Sequence, residues 1–277
     1  MTGIVTEAFF LPAEPGYRFC LLSAPADSTR PHGAFVYAHP FAEEMNKARR
    51  AAALAARRLA ANGFAVLQID LHGCGDSSGD FGDATWESWI ADIVAGYRYL
   101  ERRYQLTPSL WGLRLGCLLA TQALVEIGAR PDLVLWQPVV SGRVHLTQFL
   151  RIKVVGDALG EAADRVDVKA LRARLAGGET LEIAGYELSP ALAEPMERAE
   201  LDLPAGYDGR VLWYEVAGSA DAGIAPASRA RVSAWRMRGV DVQPVTVPGL
   251  PFWQTQEIDE CRALVDATAN AWQPLRA

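Results

Sequence analysis

The segment Trp111-Gly112-Leu113-Arg114-Leu115-Gly116 sets an arginine between two glycines, where an apolar strand-like run meets an apolar helix-like run. Flanking glycines permit a tight turn that exposes the central side chain. The first backbone N–H groups of a helix favour an anion, and a guanidinium adds a fork suited to carboxylate or phosphate. Arg114 and the N–H of Leu115 are therefore predicted to bind an anionic group of a ligand.

This pattern resembles the nucleophile elbow of α/β-hydrolases, Gly-x-Ser-x-Gly, after which an acid and then a histidine follow in the chain. The serine attacks only when an imidazole takes its proton and an acid orients that imidazole. Arg114 stands at the serine position. The histidines of the chain are His32, His39, His72 and His145. All four precede the acid candidate, Asp221, so the sequence predicts that no Ser-His-Asp mechanism operates.

The loop expected to carry the histidine follows the last predicted strand and reads Pro248-Gly249-Leu250-Pro251-Phe252-Trp253. It ends in two aromatic residues and contains no histidine. We predict that Trp253 lies at the binding site.

A polar segment at residues 39–50 forms the second candidate region, because the corresponding loop of α/β-hydrolases supplies an oxyanion N–H. His39 and Glu43 are candidates for acid–base work or ligand contact, and Phe41 and Glu44 are candidates for binding. The alternative is structural: His39 shapes the loop, the glutamates cap or pair, and the basic residues are solvated.

An arginine buried without a partner would be costly, so Arg114 requires either a ligand anion or an internal acid. The internal candidates are Glu43, Glu44 and Asp221. The two interpretations are compatible if a ligand displaces or joins the acid.

The loop at residues 71–80 contains a His-Gly-x-Gly-x-Ser pattern beginning at His72. His72 is a binding candidate, although the pattern also fits a turn in which glycines supply positive φ. The cysteines are Cys20, Cys74, Cys117 and Cys261, which show no pairing or metal-ligand spacing. With no phosphate loop or dinucleotide fingerprint either, we expect no metal and no cofactor.

Alternating strand-like and helix-like runs predict an α/β fold, with a mostly parallel sheet of about eight strands and helices on both faces. The first two strands, at 4–11 and 17–23, are predicted to form an antiparallel hairpin. Helices are predicted at 47–62 and, last, from about Gln256 to Trp272. A more polar stretch with short helical patterns, about 141–205, predicts a helical cap inserted in one domain covering 1–277.

The amino-acid composition and net charge limit the kinds of molecule to which the protein is expected to bind. The 277 residues are 50% hydrophobic and 22% charged, with a formal net charge of −6, which gives no basic surface for nucleic acid. The chain opens without a charged-then-apolar leader, and it contains no apolar run of about 18 residues. We expect a cytoplasmic protein without a membrane span.

Four stretches together resemble the exosortase A system-associated hydrolase 2 family, within the α/β-hydrolase superfamily. They are His39 to Lys47 with Arg49-Arg50, Asp70 to Phe81, Trp111 to Gly116, and Pro248 to Trp253. The resemblance implies an α/β-hydrolase fold and a bacterial setting of exopolysaccharide and PEP-CTERM protein-sorting genes. It implies no substrate, because fold does not give function. It also implies that the arginine elbow and the Phe-Trp pair belong to the whole group.

Three functions remain open from the sequence. The missing serine and histidine favour a degenerate site, that of a pseudoenzyme, that binds an anionic acyl or glycan-linked ligand. The polar segment at 39–50 keeps open a hydrolase or transferase with a non-standard site around Arg114, His39, Glu43 and Asp221. The third is a non-catalytic partner of other exosortase-locus proteins.

Overall fold

The computed structural model describes residues 3–26, 30–159 and 167–272. In these ranges the strands are β1 Ile4–Pro12, β2 Tyr17–Pro25, β3 Ala34–Ala38, β4 Ala65–Ile69, β5 Ser109–Leu113, β6 Leu133–Trp136, β7 Leu181–Ile183, β8 Tyr186–Leu188, β9 Val211–Ala217 and β10 Val242–Pro248. The helices are α1 Glu43–Ala61, α2 Trp86–Tyr104, α3 Leu115–Ile127, α4 Gly142–Leu159, α5 Val168–Ala176, α6 Pro190–Arg198, α7 Pro226–Met237 and α8 Arg262–Ala271.

Eight strands form one sheet in the order β1-β2-β4-β3-β5-β6-β9-β10. The β1–β2 and β2–β4 pairs are antiparallel, and every other pair in the sheet is parallel. The prediction of a mostly parallel α/β sheet of about eight strands is therefore confirmed, as is the predicted opening hairpin.

Both faces of the sheet are covered because its central strands are apolar on both sides. On β3, Val36 and Ala38 face one core with α2 and α3, while Phe35 and Tyr37 face the other with α1 and α8. Trp136 joins β6 to the last helix, since its indole Nε1 donates to Thr268 Oγ1 at 2.9 Å in the interior. Parallel pairing of β3 with β5 and of β5 with β6 places the carboxyl ends of these three strands side by side.

Two predicted helix boundaries were wrong, and both errors affect the site. Helix α1 begins at Glu43 and not at residue 47, after Ala42 turns the chain with φ 50°. Acidic residues in a first turn interact favourably with the helix dipole. The last helix begins at Arg262, not near Gln256, because the backbone of the preceding segment is bonded elsewhere: Gln256 O accepts from Lys47 Nζ at 2.7 Å.

The segment between β6 and β9 contains α4, α5, α6 and the β7–β8 hairpin. The helical patterns were predicted there, but the hairpin was missed. Its turn, Ala184-Gly185, has positive φ at both residues, as a type I′ turn requires, and alanine carries no sequence signal for that geometry. Part of the polar stretch predicted at about 141–205 lies outside the described residues.

Within the described ranges, no helix combines the length and the apolar character needed to cross a bilayer.

Candidate functional site

The turn between β5 and α3 holds Arg114 in a conformation that few residues adopt, with φ 55° and ψ −118°. Two glycines allow this turn to lie close against the sheet and the backbone around it. A Cβ on Gly112 would lie 2.7 Å from the backbone N of Cys117, and a Cβ on Gly116 would overlap the carbonyl oxygen of Ala38. The elbow geometry predicted from the sequence is therefore present, with arginine at its tip.

Arg114 is held by one acid and one aromatic ring. Its Nε donates to Glu44 Oε1 at 3.2 Å, and both side chains are largely buried, with 13% and 16% exposed. Its guanidinium carbon lies 5.6 Å from the ring centre of Trp253. Neither Nη1 nor Nη2 donates a hydrogen bond to any of the described residues, so the terminal fork of the guanidinium is unused.

Of the three acids that the sequence offered, Glu44 is the one that pairs with Arg114. Burial raises the pKa of the Glu44 carboxyl, and the charge of Arg114 opposes that rise. The second carboxylate oxygen, Oε2, is buried and accepts no hydrogen bond from the described residues, although the nearby Gln254 side chain also opposes the rise of the Glu44 pKa. The ion pair therefore engages one carboxylate oxygen, Oε1 of Glu44, and one nitrogen of the guanidinium, Nε of Arg114.

His145, on α4, lies near Arg114 and Glu44, although it is distant from both in sequence. It is 6% exposed, and neither ring nitrogen forms a hydrogen bond with any residue that the structure describes. Burial, and then the positive charge of Arg114, lowers the pKa of His145 to about 3. The imidazole is therefore neutral at physiological pH, with one donor and one acceptor unused.

Glu44, Trp253 and His145 line a pocket of about 360 Å³, and Arg114 lies beside it through its contacts with Glu44 and Trp253. Its lining residues are Phe41, Ala42, Glu43, Glu44, Lys47, His145, Gln148, Phe149, Ile152, Trp253 and Gln254. The walls are mainly apolar: the Phe41 ring packs edge-on against Phe149 at 4.9 Å and against His145 at 5.8 Å. A mainly apolar pocket with a few convergent polar groups is the usual form of a small-molecule site.

The two catalytic candidates from the 39–50 segment occupy different environments. His39 is buried: its Nε2 accepts from the Leu71 backbone N–H at 3.2 Å, which leaves Nδ1 to donate to Pro40 O at 2.7 Å. Burial also lowers the pKa of His39. Both ring nitrogens are therefore engaged by the backbone, and neither is free for a substrate.

Glu43 lines the pocket but faces solvent. Its Oε2 accepts from Tyr186 Oη and from Asn46 Nδ2, each at 3.1 Å. Because Tyr186 lies on β8, this contact joins the start of α1 to the hairpin. Burial, followed by Glu43, raises the pKa of Tyr186 to about 12, so the phenol is protonated and donates.

Two predicted site residues lie away from this pocket. Asp221 is exposed on a short turn after β9 and forms no ion pair among the described residues, so the proposed pairing with Arg114 is corrected. His72 lies in a buried loop, where its backbone N–H donates to Asp92 Oδ2 at 2.7 Å. Asp92 also accepts from the buried Arg18 at 2.6 Å, which gives the loop around His72 a structural anchor.

Leu115 is completely buried at the start of α3, directly after Arg114. The structure thus brings together Arg114, Leu115, Phe41, Glu43, Glu44 and Trp253. Sequence reasoning missed His145, Gln254 and the pocket-lining part of α4. The only local signal for His145 was its place among apolar residues at helical spacing, which also fits a core position.

The cysteines found in the described residues, Cys20, Cys74, Cys117 and Cys261, are buried and unpaired. Within the described ranges, no three His, Cys, Asp or Glu side chains group so as to hold a metal ion.

The sheet order and the elbow after β5 define an α/β-hydrolase fold. Residues 29–195, more than half of the chain, match the family described as serine aminopeptidase, S33, and the chain belongs to this family. No curated protein matches the chain.

Solved structures of similar fold are esterases and serine hydrolases. Est1E from Butyrivibrio proteoclasticus, with ferulic acid bound, is 17% identical, with 95% of this chain and 97% of that chain covered and a TM-score of 0.65. XC6422 from Xanthomonas campestris, described as a serine hydrolase without a lid, is 14% identical, with 98% and 97% covered and a TM-score of 0.57. At these identities the likeness shows the fold alone.

Proposed function

We propose that this protein binds an anionic, acyl-type ligand in the pocket beside Arg114 and does not act by a Ser-His-Asp mechanism. The observation that carries the proposal is the unused fork of Arg114: among the described residues its guanidinium donates one hydrogen bond, from Nε to Glu44 at 3.2 Å. Such a fork matches a carboxylate or phosphate, and a charge-assisted hydrogen bond in a partly buried site is strong.

The walls of the pocket support an acyl tail behind the anionic group. Phe149, Ile152 and Trp253 supply apolar surface, and Trp253 also covers the guanidinium. Lys47 adds a positive charge among the lining residues, where its Nζ lies 4.0 Å from Glu43 Oε1. The resemblance to exosortase-associated proteins supports a ligand among the acyl or glycan-linked anions handled by exopolysaccharide and PEP-CTERM sorting loci. Ferulic acid, bound to Est1E, is itself a carboxylic acid and is a suitable second probe.

The test measures binding of octanoate, octyl phosphate and octanol by calorimetry. We expect the wild type to bind an anion and not octanol, and Arg114→Gln to weaken that binding at least about tenfold, since a hydrogen bond to a charged group contributes about 1.5–3 kcal/mol. Arg50→Gln is the matched control, because Arg50 pairs with Glu260 on the surface. Equal binding by Arg114→Gln, or no anion binding by the wild type, contradicts the proposal.

A second candidate is a hydrolase or transferase with a non-standard site. It is favoured by one observation: the neutral His145 and the Glu44 carboxylate both line the pocket with unused hydrogen-bonding atoms. Such groups can take or give protons. Turnover of p-nitrophenyl octanoate that disappears in His145→Phe would favour this function. Turnover at the rate of buffer alone supports the binding function.

The third interpretation, a partner of other exosortase-locus proteins, has weaker support. Large exposed apolar side chains on α4 are aliphatic: Val144, Ile152 and Val155. Binding of an anion by the isolated protein would argue for a small-molecule ligand.

A further inference from the structure

The pocket contains hydrogen-bond acceptors that a plain carboxylate cannot fill. Across residues 3–26, 30–159 and 167–272, nothing forms a hydrogen bond with the buried Glu44 Oε2 or with either buried ring nitrogen of His145. His145 is 94% buried, since its exposed fraction is 6%, and it lines the pocket. A neutral imidazole offers one acceptor and one donor, and an ionised carboxylate oxygen only accepts. The pocket therefore presents at least two unfilled acceptors beside the guanidinium.

A simple acyl anion would satisfy Arg114 and leave those acceptors without a donor. These atoms are already shielded from solvent and unpaired among the described residues, so a ligand group that reaches and pairs one of them gains affinity without first removing water from it. A hydroxyl is suited to this pairing because it donates one hydrogen bond and accepts others. It can donate to Glu44 Oε2 or to the unprotonated nitrogen of His145, and it can accept from the other nitrogen of the ring.

We infer that the ligand is a hydroxy-substituted carboxylic acid with an apolar tail, whose hydroxyl lies close to its carboxylate. This inference rests on the proposed function, because the carboxylate is assigned to Arg114. The closeness of the two groups follows from Glu44: one oxygen bonds to Arg114 and the other oxygen of the same carboxylate is the unfilled acceptor. The apolar tail follows from Phe149, Ile152 and Trp253.

The ligand series uses the wild-type protein. Calorimetry compares three compounds. 3-Hydroxyoctanoate carries both a hydroxyl and a carboxylate, octanoate carries the carboxylate alone, and 1,3-octanediol carries hydroxyls without a carboxylate. We expect 3-hydroxyoctanoate to bind roughly tenfold more tightly than octanoate, the effect of pairing one buried acceptor, and the diol to bind weakest. Glucuronate, a hydroxylated carboxylate without an apolar tail, distinguishes a sugar acid from a hydroxyacyl ligand, and tighter binding of glucuronate would overturn the assignment of the tail.

The outcomes separate the inference from the proposed function. Equal affinity for octanoate and 3-hydroxyoctanoate overturns the inference and leaves anion binding intact. If neither acid binds, both are wrong. Tight binding of the diol alone would show hydroxyl recognition without a carboxylate and would also overturn the inference.

A variant pair then assigns the hydroxyl to its partner. His145→Phe keeps a flat ring against Phe41 and removes both nitrogens, so we expect the tenfold preference for 3-hydroxyoctanoate to fall toward unity. Ile152→Ala is the matched control: it trims an apolar lining residue and weakens both acids alike, which leaves the ratio unchanged. An unchanged ratio in a folded His145→Phe contradicts the role given to His145, and the wild-type series decides the ligand class if that variant does not fold.

Discussion

At the scale of single residues, the pairing of Arg114 with Glu44 explains how a charged side chain can occupy an elbow that normally exposes a nucleophile. Neither charge is fully removed from water, and each is partly neutralised by the other at 3.2 Å. Removing one partner of such a pair costs more than the pair itself contributes, because the other charge remains buried. Trp253 adds a favourable contact with the guanidinium.

This pairing predicts a pH-dependent stability effect. We expect Arg114→Gln to lower the free energy of unfolding by about 2 kcal/mol at pH 8, the order of magnitude for a partly buried pair. The folded-state pKa of Glu44 is already raised by burial, and the variant raises it further. When the pKa of a carboxyl is higher in the folded than in the unfolded state, the folded protein loses stability as pH rises above the unfolded-state pKa. We therefore expect the stability lost in the variant to be partly restored as pH falls toward 5.

Urea unfolding of the wild type and the variant at pH 5 and pH 8 checks this sign. The double variant Glu44→Gln with Arg114→Gln is the control, because it leaves no unpaired charge and should lack the pH-dependent component. A penalty that grows toward pH 5 would show that Glu44 is not the acid left uncompensated.

At the scale of elements, the site depends on how closely α3 approaches the end of β3. Gly116 permits that approach, because a Cβ there would overlap the backbone carbonyl oxygen of Ala38. Backbone atoms in a central strand cannot move aside as a side chain can. The position of Arg114 relative to α1 and Glu44 is therefore set by a glycine two residues away.

We expect Gly116→Ala to destabilise the protein by about 3 kcal/mol, at the upper end of the cost of overpacking. Thermal unfolding followed by circular dichroism measures the change. Gly156→Ala is the control, since a Cβ at Gly156 in α4 meets nothing within 4 Å and alanine favours helix. Similar melting temperatures for Gly116→Ala and the wild type would mean that β3 and α3 can separate without cost.

At the scale of the whole molecule, one continuous sheet of eight strands separates two cores. Each core includes side chains from the same strands, so loss of one core exposes the face of the sheet that supports the other. We therefore propose that the chain unfolds as a single domain. Tryptophans report on both sides: Trp213 and Trp235 lie in one core, and Trp111 and Trp136 lie in the other.

This coupling predicts that unfolding is a single transition whether it is followed by tryptophan fluorescence or by circular dichroism. We expect Leu264→Ala, a completely buried position on α8, to cost about 2–4 kcal/mol and to shift tryptophan fluorescence and circular dichroism together. Leu250→Ala is the control, because Leu250 is 62% exposed. Separate midpoints for the two probes would mean that α8 and its core unfold independently of the rest of the sheet.

The sequence by itself determined the sheet and the elbow, because both follow from local patterns. Buried parallel strands are short apolar runs, and the turn at Arg114 is marked by glycines whose spacing is fixed by steric limits. It also indicated Glu44 and Trp253 as neighbours of Arg114, since loops after adjacent parallel strands meet at one edge of a sheet.

Only the tertiary structure decided which acid pairs with Arg114 and what else lines the pocket. Glu44 reaches the guanidinium because α1 begins at Glu43, and Asp221 does not because its turn is exposed at another place. His145 lies on α4, far from Arg114 in the sequence. The apolar helical pattern around it does not predict which neighbour a single polar side chain will contact. The position of His145 depends on packing between distant elements, and that packing also leaves its nitrogens without partners among the described residues.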